Sequence, residues 1–226
     1  MYKIEWKKEL PLFIWMLGIL VLTVVVYNQL PEIVPIHWNV NGVVDGYGPK
    51  LAHVIGFPAL LIGIYSLMLF IPFIDPMKER YEHFLGVYRF IRISMVSVLS
   101  IVYVMTLFAG LGYLVPVPQV MAFTIGLLFL LLGNVLGKIK QNFFVGYKLP
   151  WTLADEDNWN KTHRVAGRAM VIAGLLTMFT VFLPPLLSFW VMMGGLFIAV
   201  IIPGYYSYNL YKKTHGNTKV GKLSKE

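Results

Sequence analysis

Lys138–Arg168 reads KIKQNFFVGYKLPWTLADEDNWNKTHRVAGR, a polar, aromatic-rich island between two runs of almost pure hydrocarbon. Its neighbours decide the fold class. Gln119–Gly137 before it and Ala169–Leu183 after it carry no charged side chain, and about 20 apolar residues in a helix cross a ~30 Å hydrocarbon core. The second run is short, but it suffices if Val165–Arg168 form a first turn and Arg168 snorkels to the interface. Further out lie Leu10–Tyr27, Leu51–Ile74, Phe90–Leu114 and Leu187–Tyr206. The expectation is an all-α integral membrane protein with six transmembrane helices.

Composition agrees. Hydrophobic residues make up 58% and charged residues 13%, whereas soluble domains carry about 25% charged residues. The net charge of +8 would suggest a nucleic-acid ligand in a soluble protein. Its distribution gives another reason: with six spans, 18 of the 19 Lys and Arg residues fall on one side, and Lys50 alone falls on the other. By the positive-inside rule that side is the cytoplasm, so both termini are expected inside, in a bacterial plasma membrane, with the anionic inner leaflet as a partner and no direct nucleic-acid ligand. The absence of cysteine removes disulfides, thiolate catalysis and cysteine metal sites. Lys7 and Lys8 ahead of an apolar run resemble a signal peptide. The run ends at Val26-Tyr27-Asn28-Gln29 without a small-residue cleavage pattern, so a retained first helix is expected.

The outer connections are uneven. Val115-Pro116-Val117-Pro118 and Pro184-Pro185 are short and make tight helical hairpins. The third, within Asn28–Lys50, contains LPEIVPIHWNVNGVVDGYGPK. Pro31 and Pro35 disfavour helix there, and Asn41-Gly42 between β-branched runs signals a two-residue β-hairpin turn. A small extracellular hairpin or extended cap between helices 1 and 2 is expected, with Trp38 and Tyr47 suited to interfacial anchoring. Gly126, Gly133 and Gly137 share a helix face, and Gly167 and Gly174 are likewise 7 apart, a spacing that lets helix backbones approach closely.

Within the island, Leu149-Pro150 ends any preceding helix. Thr152 with Asp155 reads as a capping box, so a helix is expected from Leu153 along the cytoplasmic face into span five. Trp159 and His163 share its face. Phe143 and Phe144 among Lys138, Lys140 and Lys148 suit an interface-embedded segment. Arg89 and Arg92 are expected either to snorkel or to pair with Asp155–Asp157 across the inner face.

Three groups of residues resemble the SdpI family. They are Asn134 and Gly137; Lys140, Asn142, Phe143, Phe144, Gly146, Lys148, Pro150, Trp151 and Thr152; and Trp159, Thr162, His163, Arg164 and Gly167. Pro35, His37, Trp38, Asn39, Gly42, Asp45, Tyr47 and Lys50 resemble the DUF1648-type domain that precedes it in many members. The division expected is 1–88 for the DUF1648-like region, 89–211 for an SdpI-like four-helix region, and 212–226 for a basic tail. The resemblance implies immunity to a secreted, membrane-active peptide toxin. It also implies a receptor role, in which a cytoplasmic transcriptional repressor is held at the membrane.

Two surfaces are thus candidates: His37, Trp38, Asn39, Asp45, Tyr47 and Lys50 for the toxin, and Asn134, Lys140, Asn142, Phe143, Gly146, Lys148, Pro150, Trp151, Thr152, Trp159, Thr162, His163, Arg164 and Gly167 for a cytoplasmic partner. No enzyme is expected. His37 with Asp45, or His163 with Asp155 and Asp157, supply acid–base residue types at loose spacing, and no HExxH, GxSxG or P-loop pattern occurs. No metal or cofactor is expected. A transporter or exporter of a peptide or small molecule is the competing reading, weakened by span centres that lack Asp, Glu, Lys and Arg.

Overall fold

A computed structural model of the chain describes residues 3–223, with side chains to residue 214; Lys225 of the basic tail lies outside the described residues. Among the described residues six helices are long and apolar enough to cross a membrane: α1 (Trp6–Tyr27), α2 (Lys50–Ile74), α3 (Leu85–Gly110), α4 (Val117–Leu136), α6 (Glu156–Phe179) and α7 (Pro185–Leu223). A five-residue helix, α5 (Pro150–Ala154), precedes α6. Strands β1 (Ile33–Trp38) and β2 (Val44–Pro49) form an antiparallel hairpin between α1 and α2. The bundle therefore has a hairpin end, shared with the α3–α4 and α6–α7 turns, and a motif end that carries residues 138–155.

Glycine joins α4 to α6. A Cβ placed on Gly133 would lie 2.8 Å from the Gly167 carbonyl oxygen, and one on Gly174 would lie 2.6 Å from that of Gly126. The two helices run antiparallel with their backbones in contact at both pairs, so the expected close approach is present and dispersion between backbones replaces side-chain interdigitation. Polar side chains join α1 to α3 instead. Trp15 Nε1 donates to Ser100 Oγ at 3.0 Å, and Thr23 Oγ1 lies 2.9 Å from the Tyr103 hydroxyl.

Several boundaries differ from the sequence reading. Span three runs from Leu85 to Gly110, not Phe90–Leu114, because the chain turns at Gly112 with φ +88°, a conformation only glycine adopts cheaply. Span five does not begin near Ala169, and the helix expected to lead into it from Leu153 starts three residues later, at Glu156. One helix runs from Glu156 and continues as a 3-10 turn to Phe182. Asp155, extended at φ −138°, separates it from α5 and caps it, accepting from Asp157 N at 2.8 Å and Asn158 N at 3.1 Å. Asp155 is thus an N-cap, not the third residue of a box begun by Thr152. The hairpin turn is longer than two residues. Asn39 Oδ1 accepts from Asn41 N and Val43 N, and Gly42 sits at φ +78°.

Arg89 and Arg92 do not meet Asp155–Asp157. Arg92 Nη2 donates to Glu9 Oε1 with both side chains 2% exposed, and Arg89 Nη2 donates to Glu5 Oε2 at 2.8 Å. Glu9 also accepts from the Tyr65 hydroxyl at 3.1 Å. This cluster ties α1, α2 and α3 together near the motif end. The helix-three arginines found acids on the first helix because α1 and α3 are packed side by side there.

Candidate functional site

At the motif end, the loop after α4 is organised by two buried amides. Asn142 is fully buried. Its Oδ1 accepts from Phe144 N (2.9 Å) and Val145 N (2.7 Å), and its Nδ2 donates to the Lys140 and Val145 carbonyls. Gln141 receives Arg80 Nη1 at 2.6 Å and donates to the Thr152 and Leu153 carbonyls. Asp75 supports the turn from below: its carboxylate accepts from Met77 N, the Tyr81 hydroxyl and Phe143 N at 2.7–3.1 Å. Backbone groups with no helical partner are thereby satisfied, as burial requires.

His163 closes the loop onto α6. Tyr147 N–H donates to His163 Nε2 at 3.0 Å, so that nitrogen must be an unprotonated acceptor. Nδ1 lies 2.8 Å from the Trp159 carbonyl and must therefore carry the proton. The imidazole is held neutral in one tautomer, fully buried and stacked on Trp159 with ring centroids 4.0 Å apart. Gly146 makes this approach possible. Its φ is +116°, and a Cβ there would lie 2.2 Å from His163 Nε2. Thr152 Oγ1 donates to the Tyr147 carbonyl and accepts from Leu149 N. The Tyr147 hydroxyl donates to the Ala199 carbonyl of α7, and burial pushes that hydroxyl's pKa above its ordinary value, so it stays a donor.

A second network joins α6 to α7. Thr162 Oγ1 and Ser207 Oγ both donate to Asn158 Oδ1, and Asn158 Nδ2 donates to the Ser207 carbonyl at 2.9 Å. Trp151 packs edge-on to Tyr208 with its indole N–H buried and unpartnered. Of the expected docking residues, Asn142, Thr152, Trp159, Thr162, His163 and Gly167 are therefore interior, and Gly146 and Trp151 are half-buried. Lys140 is half-buried; Phe143, Lys148, Pro150 and Arg164 face outward. Asn134 is exposed on α4, one turn from the loop.

The hairpin end is built differently. His37 Nδ1 lies 2.5 Å from Asp45 Oδ1 across the bulged register of β1 and β2, and both side chains are exposed. Lys50 is committed elsewhere: its ammonium lies 2.8 Å from Glu32 Oε1 and 4.8 Å from the centre of the Tyr27 ring. Tyr47 is exposed on β2. Behind the hairpin an open cleft of about 380 Å³ lies between the starts of α4 and α7, within the size range of ligand sites. His37, Trp38 and Asn39 form its rim, and Pro118, Met121, Phe189 and Met192 are among its walls. Asp45 adjoins through His37; Tyr47 and Lys50 do not line it.

Sequence reasoning missed Asp75, Gln141, Asn158, Tyr147 and the Met121–Met192 wall. Asn158 and Thr162, four apart beside Trp159, were a readable polar pair on one helix face. The cleft wall left no signal, because methionine and phenylalanine in an apolar span read as lipid-facing filler. Among the described residues no group of three or more His, Asp or Glu side chains converges to hold a metal.

Residues 138–207 match the model of the SdpI/YfhL protein family, and residues 14–62 match a domain of unknown function, DUF1648. The curated protein "Immunity protein SdpI" of Bacillus subtilis (strain 168) is 26% identical over 195 residues, which cover 86% of this chain and 91% of that protein. No solved structure matches the chain. The resemblance drawn from the motifs thus holds in both of its parts, in the order in which they were read.

Proposed function

We propose that this chain is a multi-pass bacterial membrane protein that confers immunity to a secreted, membrane-active peptide, and that it engages the peptide at its hairpin end. The observation that carries the reading is the open cleft beneath His37, Trp38 and Asn39. It lies at the end of the bundle with the fewest cations, opposite a motif end where Gln141, Asn142, Thr152 and His163 are buried. The near full-length similarity to an immunity protein supports the activity class. In this reading the motif end faces the cytoplasm, in keeping with its Lys and Arg content. No catalysis is assigned: His163 has both nitrogens committed to backbone groups, which leaves it no lone pair or proton for a substrate.

Expression of the chain in a peptide-sensitive bacterium, scored for survival against a panel of secreted peptides, tests this. Protection against at least one peptide is expected. Unchanged survival at verified membrane levels rejects the reading, and labelled peptide accumulating outside the cells against its gradient would favour an exporter.

The receptor role is a finer part of the same proposal. Lys140, Phe143, Lys148, Pro150 and Arg164 supply a basic, aromatic surface for a cytoplasmic repressor, and the buried members of the motif hold that surface in shape. Lys148→Glu with Arg164→Glu is expected to abolish recruitment of a repressor without lowering membrane abundance. Retained recruitment would remove this part of the reading.

A further inference from the structure

We propose that the hairpin-end cleft recognises a cationic amphipathic peptide, taking a bulky apolar side chain between α4 and α7 and setting a basic group against Asp45. The proposal rests on the immunity reading and adds the chemistry of the peptide to it.

The walls dictate the apolar part. Val117, Pro118, Met121 and Ala122 from α4 face Pro185, Phe189 and Met192 from α7. Proline brings no backbone N–H. Ser188, the hydroxyl in the wall, already donates to the Thr180 carbonyl at 2.7 Å. The walls therefore offer a ligand almost no hydrogen bond, and a polar group driven between them would lose its water without replacement. Two thioethers beside an aromatic ring suit an aromatic or branched aliphatic side chain, because methionine adapts its shape to the guest.

The rim dictates the charge. Residues 28–50, 111–118 and 180–188 carry Glu32, Asp45 and Lys50 as their charged side chains, with His37 beside them. Lys50 is bound to Glu32. Asp45 faces only a histidine, so the hairpin end is net negative whenever that imidazole is neutral. Arg and Lys elsewhere among the described residues lie toward the motif end. A cation approaching from the hairpin side is attracted, and an anion is not. A lipid acyl chain could fill the walls, but it would make no use of Asp45.

The absence of cysteine permits a direct test. Met121→Cys, labelled with an environment-sensitive dye in phosphatidylcholine nanodiscs, is titrated with a Leu/Lys amphipathic peptide and with its Leu/Glu counterpart. A saturable blue shift is expected with the Lys peptide, at least about tenfold weaker with the Glu peptide, weaker in high salt, and weakened about tenfold by Asp45→Asn. Adding Ala122→Phe, which fills the cleft, is expected to remove the shift. Equal response to both peptides, or indifference to Asp45→Asn, overturns the proposal. So does a shift already present without peptide and lost on delipidation, which would mark an acyl chain as the occupant. Survival assays separate the two levels. Protection that persists unchanged in Asp45→Asn and Ala122→Phe sinks the cleft while immunity stands; probe binding by a chain that protects against nothing sinks immunity.

Discussion

The motif end and the hairpin end use their polar groups in opposite ways. At the motif end, Asn142, Gln141, Asp75, His163 and Asn158 each make two or more hydrogen bonds within the chain. At the hairpin end, His37 and Asp45 bind each other in solvent beside an open cleft. A residue-rich motif here marks a structural lock, and the open cleft sits where the sequence is plainer. A buried network is costly to break, because each lost partner strands another group. An exposed pair beside a cleft can change with little effect on folding. Substitutions in the buried network of the first end are therefore expected to act through stability, and substitutions at the second through recognition.

The largest effect is expected where a charge would be stranded. Arg92→Gln leaves Glu9 buried beside Arg89 alone and should cost about 3–5 kcal/mol, read as a fall in the unfolding temperature of the purified protein in detergent. The double variant Glu9→Gln with Arg92→Gln should recover much of that loss; a double variant no better than the single one would show that the pair is not the source. Gly146→Ala should cost about 3 kcal/mol, since it adds backbone strain to a clash with His163. Gly18→Ala, on an open face of α1, should be neutral or slightly stabilising. Comparable losses at both glycines would undo the contrast. Asn158→Ala should cost about 2 kcal/mol by leaving Thr162 and Ser207 without their shared acceptor, and membrane abundance should fall with it. The smallest effect is expected from Asp45→Asn, within about 0.5 kcal/mol in stability. A drop of several kcal/mol there would mean that the hairpin pair, too, is a lock.

The sequence made the bundle legible because the bilayer imposes one strong rule, about 20 apolar residues per pass, and because paired glycines seven apart have few other uses. The details it hid share a physical cause. Glu9 and Asp75 sit just outside apolar runs, where an acid reads as an interfacial residue. Only the three-dimensional approach of Arg92 and of Phe143 N–H reveals that each is enclosed. Asp155 was visible as an acid in a first helical turn. Whether it lay before or inside that turn depended on how Thr152 was used, and Thr152 bonds backward, to Leu149 and Tyr147. The motif residues gather at one end of the bundle. Their burial was not readable, because Trp, His, Asn and Thr serve equally well in a docking face and in a satisfied polar core.

The Glu9–Arg92 contact also bears on how such a chain can diverge. Its two members lie 83 positions apart, on different helices, yet neither can be lost singly without leaving a charge enclosed near the membrane. Drift at one position is viable only with a matching change at the other. In a set of descendants these two sites should be inherited as a unit, both charged or both neutral, even where the residues around the cleft diversify.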